Sequence, residues 1–131
     1  MILKKEKPSN PKIKYPKQGL AENRYTCGNK SWAASTLINW CKEQNYPVFK
    51  LPLAAIDLSQ MPWDINNIDE FIWHSKRVND VGDYPVILDN YGRICDGFHR
   101  VCKAIISDKT EIDAIRIEEM PRPDGYEERS E

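Results

Sequence analysis

One dipeptide, Asp96-Gly97, separates a strand pattern from a helix pattern. Ahead of it, Arg93-Ile94-Cys95 reads as a short strand. Behind it, Phe98 to Ser107 sets Val101, Ala104 and Ile105 on one helical face, with Cys102 and Ile106 beside them. Glycine lacks the Cβ that forbids most sharp reversals, so it permits a strand to run straight into a helix. A chain built on such a junction is expected to lay that helix against its own sheet.

The rest of the chain supports this layering. Residues 31–44 place Trp32, Ala33, Leu37, Ile38, Trp40 and Cys41 at helical spacing, with Asn29 or Ser31 available as the cap. Val48 to Leu53 reads as a strand. Asn67 followed by Glu70 resembles a capping box, and it opens a second helix. Its expected inward face is Ile68, Phe71, Ile72, Ser75 and Val78, with Glu70, His74 and Arg77 on a neighbouring face. Pro85 to Leu88 and Arg93 to Cys95 form a hairpin around Asp89-Asn90-Tyr91-Gly92. Ile112 to Ile117 is the final strand, and Pro121 and Pro123 end the fold. The predicted order is α-β-α-β-β-α-β, a compact α+β domain with a small mixed sheet and three main helices. Residues 20–120 are its expected extent, between a Pro-punctuated basic arm (1–19) and an acidic tail (121–131).

Composition excludes several classes. The 131 residues are 40% hydrophobic and 30% charged, enough apolar material for one core and too little bias for a disordered chain. No apolar run approaches the ~20 residues of a membrane span, and the first residues lack a signal-peptide core. A cytoplasmic domain is the expectation. Residues 1–18 hold six lysines against Glu6, while 118–131 hold six acids against Arg122 and Arg129. The net charge is −1, so the body between the two ends is slightly acidic. Groove-binding domains are usually basic over the folded part, so DNA is not the favoured partner, although the arm offers a route to it. Cys27, Cys41, Cys95 and Cys102 have no C-x-x-C spacing and no histidine at ligand spacing, so reduced thiols are expected and no metal site.

The chemistry concentrates at the junction. The first N–H groups of a helix lack intrahelical partners and carry about half a positive charge. Gly97 opens the backbone to an anion, Phe98 contributes a backbone N–H, and His99 and Arg100 add side-chain donors in the first turn. The set reads as a phosphate cradle. It is not a Walker loop, whose G-x-x-x-x-G-K-[ST] pattern is absent. Local physics alone leaves a plain turn, with His99 structural and Arg100 solvated, as the alternative.

Tyr84-Pro85-Val86-Ile87-Leu88-Asp89, Gly92-Arg93, Asp96-Gly97-x-His99-Arg100 and Ala104 resemble the signature of the ParB/sulfiredoxin superfamily. Leu51-Pro52-Leu53-Ala54-Ala55-Ile56-Asp57-Leu58 is similar to its opening strand and turn. The resemblance covers roughly residues 48–117 and implies a nucleotide-phosphate site at the strand-to-helix turn. Members include sulfiredoxins, which use ATP to repair oxidised cysteine, ParB proteins, which bind and hydrolyse CTP, and free-serine kinases, which use ADP. The departures narrow what carries over. Sulfiredoxins have cysteine before the His-Arg pair where this chain has Phe98, and Cys95 is out of register, so sulfinic-acid repair is not expected. The helix-turn-helix that follows the nucleotide domain of full partition proteins is not in this sequence, so partition activity is not expected either. Asp96 and Asp57 are the acids eligible as a catalytic base, Asp96 alternatively as a metal ligand, and His99 is the further catalytic candidate, stabilising charge with Arg100 as the bond breaks.

Further nucleotide-site candidates are Lys76 and Arg77 on the second helix, and Asn29 and Lys30 in a second glycine-led entrance, Gly28-Asn29-Lys30-Ser31. Solvent exposure and ordinary capping explain the same residues without a ligand. Trp73 is a base-stacking candidate or a packed aromatic, and Trp63 a recognition residue or a loop anchor. Two functions result. One is a small phosphotransferase or nucleoside-triphosphate hydrolase using ATP, ADP or CTP with Mg²⁺, acting on an acceptor the residues do not name. The other is a non-catalytic nucleotide-sensing or DNA-associated module, with nuclease activity a weaker third.

Overall fold

The computed structural model describes residues 10–12 and 23–126. The basic arm lies mostly outside the described residues, as does the end of the acidic tail. The elements are β1 (Arg24–Cys27), β2 (Lys30–Ala33), α1 (Ala34–Gln44), β3 (Val48–Pro52), α2 (Ile68–Asp80), β4 (Val86–Leu88), β5 (Ile94–Asp96), α3 (Phe98–Ile106), β6 (Glu111–Arg116) and β7 (Gly125–Tyr126), with a 3₁₀ turn at Leu53–Ala55. The α+β class holds. A four-stranded mixed sheet runs β3-β6-β4-β5, with β4 parallel to β6 and the other pairs antiparallel. A second, antiparallel sheet, β1-β2-β7, stands beside it.

β4 explains the layering. Val86, Ile87 and Leu88 are all buried, as an apolar run in a central strand should be. Alternation sends Val86 and Leu88 to one face, where Leu53, Val101, Ala104 and Ala114 complete a core under α3. It sends Ile87 to the other, where Trp32, Leu37, Cys41 and Ile117 complete a second core under α1. The β4–β5 hairpin closes through Asp89: its backbone N–H donates to Arg93 O (2.8 Å), and Gly92 N donates to Asp89 O (3.0 Å).

Three expectations are corrected. Residues Ser31 to Ala33 belong to β2, and α1 begins at Ala34 with no side-chain cap from Asn29 or Ser31. Asp124 satisfies that end instead, its Oδ2 accepting from Ala33 N at 2.8 Å. Pro121 and Pro123 do not end the fold, because Gly125–Tyr126 pairs with β2. The third concerns α2. Its Asn67–Glu70 cap forms, with Glu70 N donating to Asn67 Oδ1 at 2.9 Å. Yet His74 is its buried residue, and Ile68, Phe71 and Ile72 point outward. A helix orients by what it packs against. Here that is α3, which meets α2 through His99.

Candidate functional site

β5 delivers Asp96 to the sheet edge, and Gly97 adopts φ +117°, a left-handed conformation that turns the chain into α3. No side chain caps this helix. Arg100 folds back over the bend, and its Nη2 donates to Asp96 Oδ2 at 2.8 Å. The pair is largely buried, with Arg100 15% and Asp96 11% exposed. A Cβ on Gly97 would stand 2.8 Å from Arg100 Nη2, 3.0 Å from its Nε and 3.1 Å from Val86 Cγ2. Glycine is therefore required twice, by the dihedral and by the guanidinium lying against it. Arg100 Nε is buried with no hydrogen-bond partner, an open donor next to the bare helix start.

Arg100 and Asp96 form one end of a cleft of about 540 Å³ between α1 and the sheet. Ile38, Tyr46, Tyr84, Pro85, Ile87 and Ile115 give it apolar walls, and Lys42 adds a cation. A cavity of this size suits a small organic ligand. On the other side of Arg100 lies a second hollow of about 470 Å³, lined by Lys50, Lys103 and Lys109 as well as Arg100. Lys103 Nζ donates to Val81 O at 2.8 Å, and Lys50 pairs with Asp113 at 2.5 Å.

His99 does not share the Arg100 corner. Consecutive helical residues diverge by about 100°, and His99 turns toward α2 while Arg100 turns toward the sheet. His74 Nδ1 and His99 Nε2 are 2.9 Å apart. The Trp63 indole stacks on both rings, with centroids at 4.2 Å from His99 and 4.6 Å from His74. Burial, then the positive charge of His74, Arg77 and Arg100, pushes His99 down to about 4 against the opposing pull of Asp96. His74 is lowered by burial, with Glu70 opposing. A neutral imidazole facing another helix is not a cationic phosphate ligand. The guanidinium and the open backbone remain at the corner.

The other sequence candidates are dispersed. Asp57 is exposed, and hydrogen bonds from the Ser59 side chain and from Ser59 N (2.9 Å to Oδ1) hold its carboxyl below the usual range. Lys76 pairs with Asp80 at 3.4 Å, and Arg77 is exposed on α2. Asn29 and Lys30 sit at the β1–β2 hairpin, not at a helix entrance, and line a separate hollow with Tyr25 and Arg122. Trp73 meets His74 edge-on at 4.8 Å, a packed aromatic in the α2–α3 contact. Phe98 presents its ring near Trp63, 6.5 Å away and nearly perpendicular. All four cysteines are unbridged, and burial raises the thiols of Cys41, Cys95 and Cys102.

Sequence reasoning missed the Asp89 cluster. Asp89 is 2% exposed, and its carboxylate accepts from Tyr25 OH (2.5 Å), Tyr91 N (2.8 Å), Arg93 N (2.9 Å) and Arg93 Nε (3.2 Å). These bonds hold the carboxyl below its usual range even though burial opposes ionisation. The signal available was an aspartate opening a turn, where its side chain bonds backbone N–H groups two and four residues on. Tyr25 lies 64 residues away and gave no local signal.

No family model, curated protein or solved structure matches this chain. Among the described residues, no group of three or more His, Cys, Asp or Glu side chains is arranged to hold a metal ion. No described helix is long and apolar enough to cross a membrane.

Proposed function

We propose that this chain is a ParB/sulfiredoxin-like nucleotide-binding domain that acts as a small phosphotransferase or nucleoside-triphosphate hydrolase. One observation carries the reading. Arg100 lies against the glycine at an uncapped helix start, with a buried, unpartnered Nε, at the end of an apolar cleft.

In this reading the phosphates sit on the first N–H groups of α3, where the helix dipole favours negative charge. Gly97 leaves room for Arg100 to lie across the bend, and Arg100 grips two oxygens in the planar geometry that guanidinium offers. Lys42 meets the remaining charge, and the Ile38–Tyr46–Tyr84 wall receives the base. Asp96 holds Arg100 in place before binding. Once phosphate oxygens take over the guanidinium, the Asp96 carboxylate is released to accept the proton of an attacking hydroxyl or water. Phosphoryl transfer depends mainly on positioning and charge neutralisation, which these groups supply. A Mg²⁺ ion carried on the phosphates would supply further charge neutralisation; among the described residues no group of carboxylates is arranged to hold it. His99 positions the first turn of α3 and stays off the phosphates.

A thermal-shift screen against ATP, ADP, CTP and GTP, each with and without Mg²⁺, tests the reading, because a ligand that binds only the native state stabilises it. The expected result is a selective rise for one nucleotide, lost in Arg100→Ala and confirmed by calorimetry. No shift with any nucleotide, or equal binding by the variant, overturns it.

A further inference from the structure

The outward face of α2 is apolar and unpartnered among the described residues. Ile68 is 75% exposed, Phe71 59% and Ile72 39%, on a helix whose opposite side is occupied by His74 against α3. Residues 68, 72 and 75 follow the three- and four-residue spacing of a helix–helix seam. An amphipathic surface helix normally turns such a stripe inward, so its exposure calls for a partner.

We propose that this face pairs with the same face of a second copy, the two α2 helices running antiparallel about a two-fold axis near Ile72. The charges on the helix select this occupant. Asp69 and Lys76 are seven residues apart, so they share one flank of the stripe, separated by about 10 Å along the axis. A two-fold axis midway between them, beside Ile72, brings Asp69 of each copy next to Lys76 of the other. The arrangement is self-complementary, as an isologous interface requires. In a parallel pairing this flank would face the opposite flank of the partner helix, and the two charges would not meet. The Lys76–Asp80 contact within the chain is 3.4 Å long and solvent-exposed, so it competes weakly. The interface lies on the side of α2 away from His74 and is independent of the nucleotide reading.

Sedimentation velocity on the full chain tests the proposal. The native chain is expected to dimerise at micromolar concentration, and Ile72→Glu to give monomers with an unchanged circular-dichroism spectrum. Asp69→Lys and Lys76→Glu, each alone, set like charges together twice and weaken dimerisation roughly tenfold. Mixing those two variants restores opposite charges at both contacts and returns a heterodimer of native affinity. A monomeric native chain, or a dimer indifferent to Ile72→Glu, overturns the proposal. Failure of the mixture to re-associate overturns the antiparallel arrangement.

Discussion

His74 Nδ1 and His99 Nε2 meet at 2.9 Å between α2 and α3, beneath the indole of Trp63. One ring must donate and the other accept, so the pair carries one shared hydrogen at the contact and no charge at neutral pH. The same contact directs His99 away from Arg100 and leaves the Gly97 corner to the guanidinium.

This pair makes stability depend on pH in one direction. Both rings ionise in the unfolded chain near 6.5, and both are held lower in the folded one, His99 at about 4. The unfolded state therefore binds more protons as pH falls below 6.5. Their contribution is complete above 6.5 and is lost progressively toward 4. Thermal midpoints of the native chain should fall from pH 7 to pH 5 more steeply than those of His99→Gln, which carries one titrating ring fewer. Equal slopes would exclude the pair as the cause.

Asp89 and Tyr25 should differ sharply when altered. Asp89→Asn replaces an acceptor-only carboxylate by an amide facing four donors, and is expected to cost about 3 kcal/mol. Tyr25→Phe leaves Asp89 three of its bonds and should cost about 1 kcal/mol. Urea denaturation of the two variants checks the order. Comparable losses would mean that the carboxylate is not the centre of the cluster.

Gly97 and Gly92 both have positive φ, +117° and +85°, but a Cβ on Gly92 would meet nothing within 4 Å. Gly92→Ala carries the backbone cost alone, about 1 kcal/mol. Gly97→Ala adds the collision with Arg100 and Val86, for about 2 kcal/mol or more. It should also displace Arg100 and weaken binding of whichever nucleotide the screen identifies, which Gly92→Ala should not do. Chemical denaturation and calorimetry on the two variants separate these effects, and a Gly97→Ala variant as stable as Gly92→Ala would contradict the packing of Arg100 over the bend.

The apolar run Val86-Ile87-Leu88, the Asp89 to Gly92 turn and the Gly97 entry into α3 were legible in the sequence. Each is set by residues within one or two turns of chain, through a turn dihedral, an unbroken apolar strand or a helical period. The strands β1, β2 and β7 were not, since segments of two to four residues have no stability until a distant segment pairs with them. Trp32 fits a helical stripe equally well, and it is the pairing of β2 with β1 and β7 that places it in a sheet. The α2 sequence determined that a helix forms at Asn67, but both of its faces carry rings or aliphatic groups. Only packing against α3 decided that His74 turns inward and Ile68, Phe71 and Ile72 outward. The order His99-Arg100 likewise placed both residues at one helix start, and the third dimension sent one to α2 and the other to Asp96. Local chemistry specifies backbone conformation, whereas the direction a side chain faces depends on which surfaces the rest of the chain brings beside it.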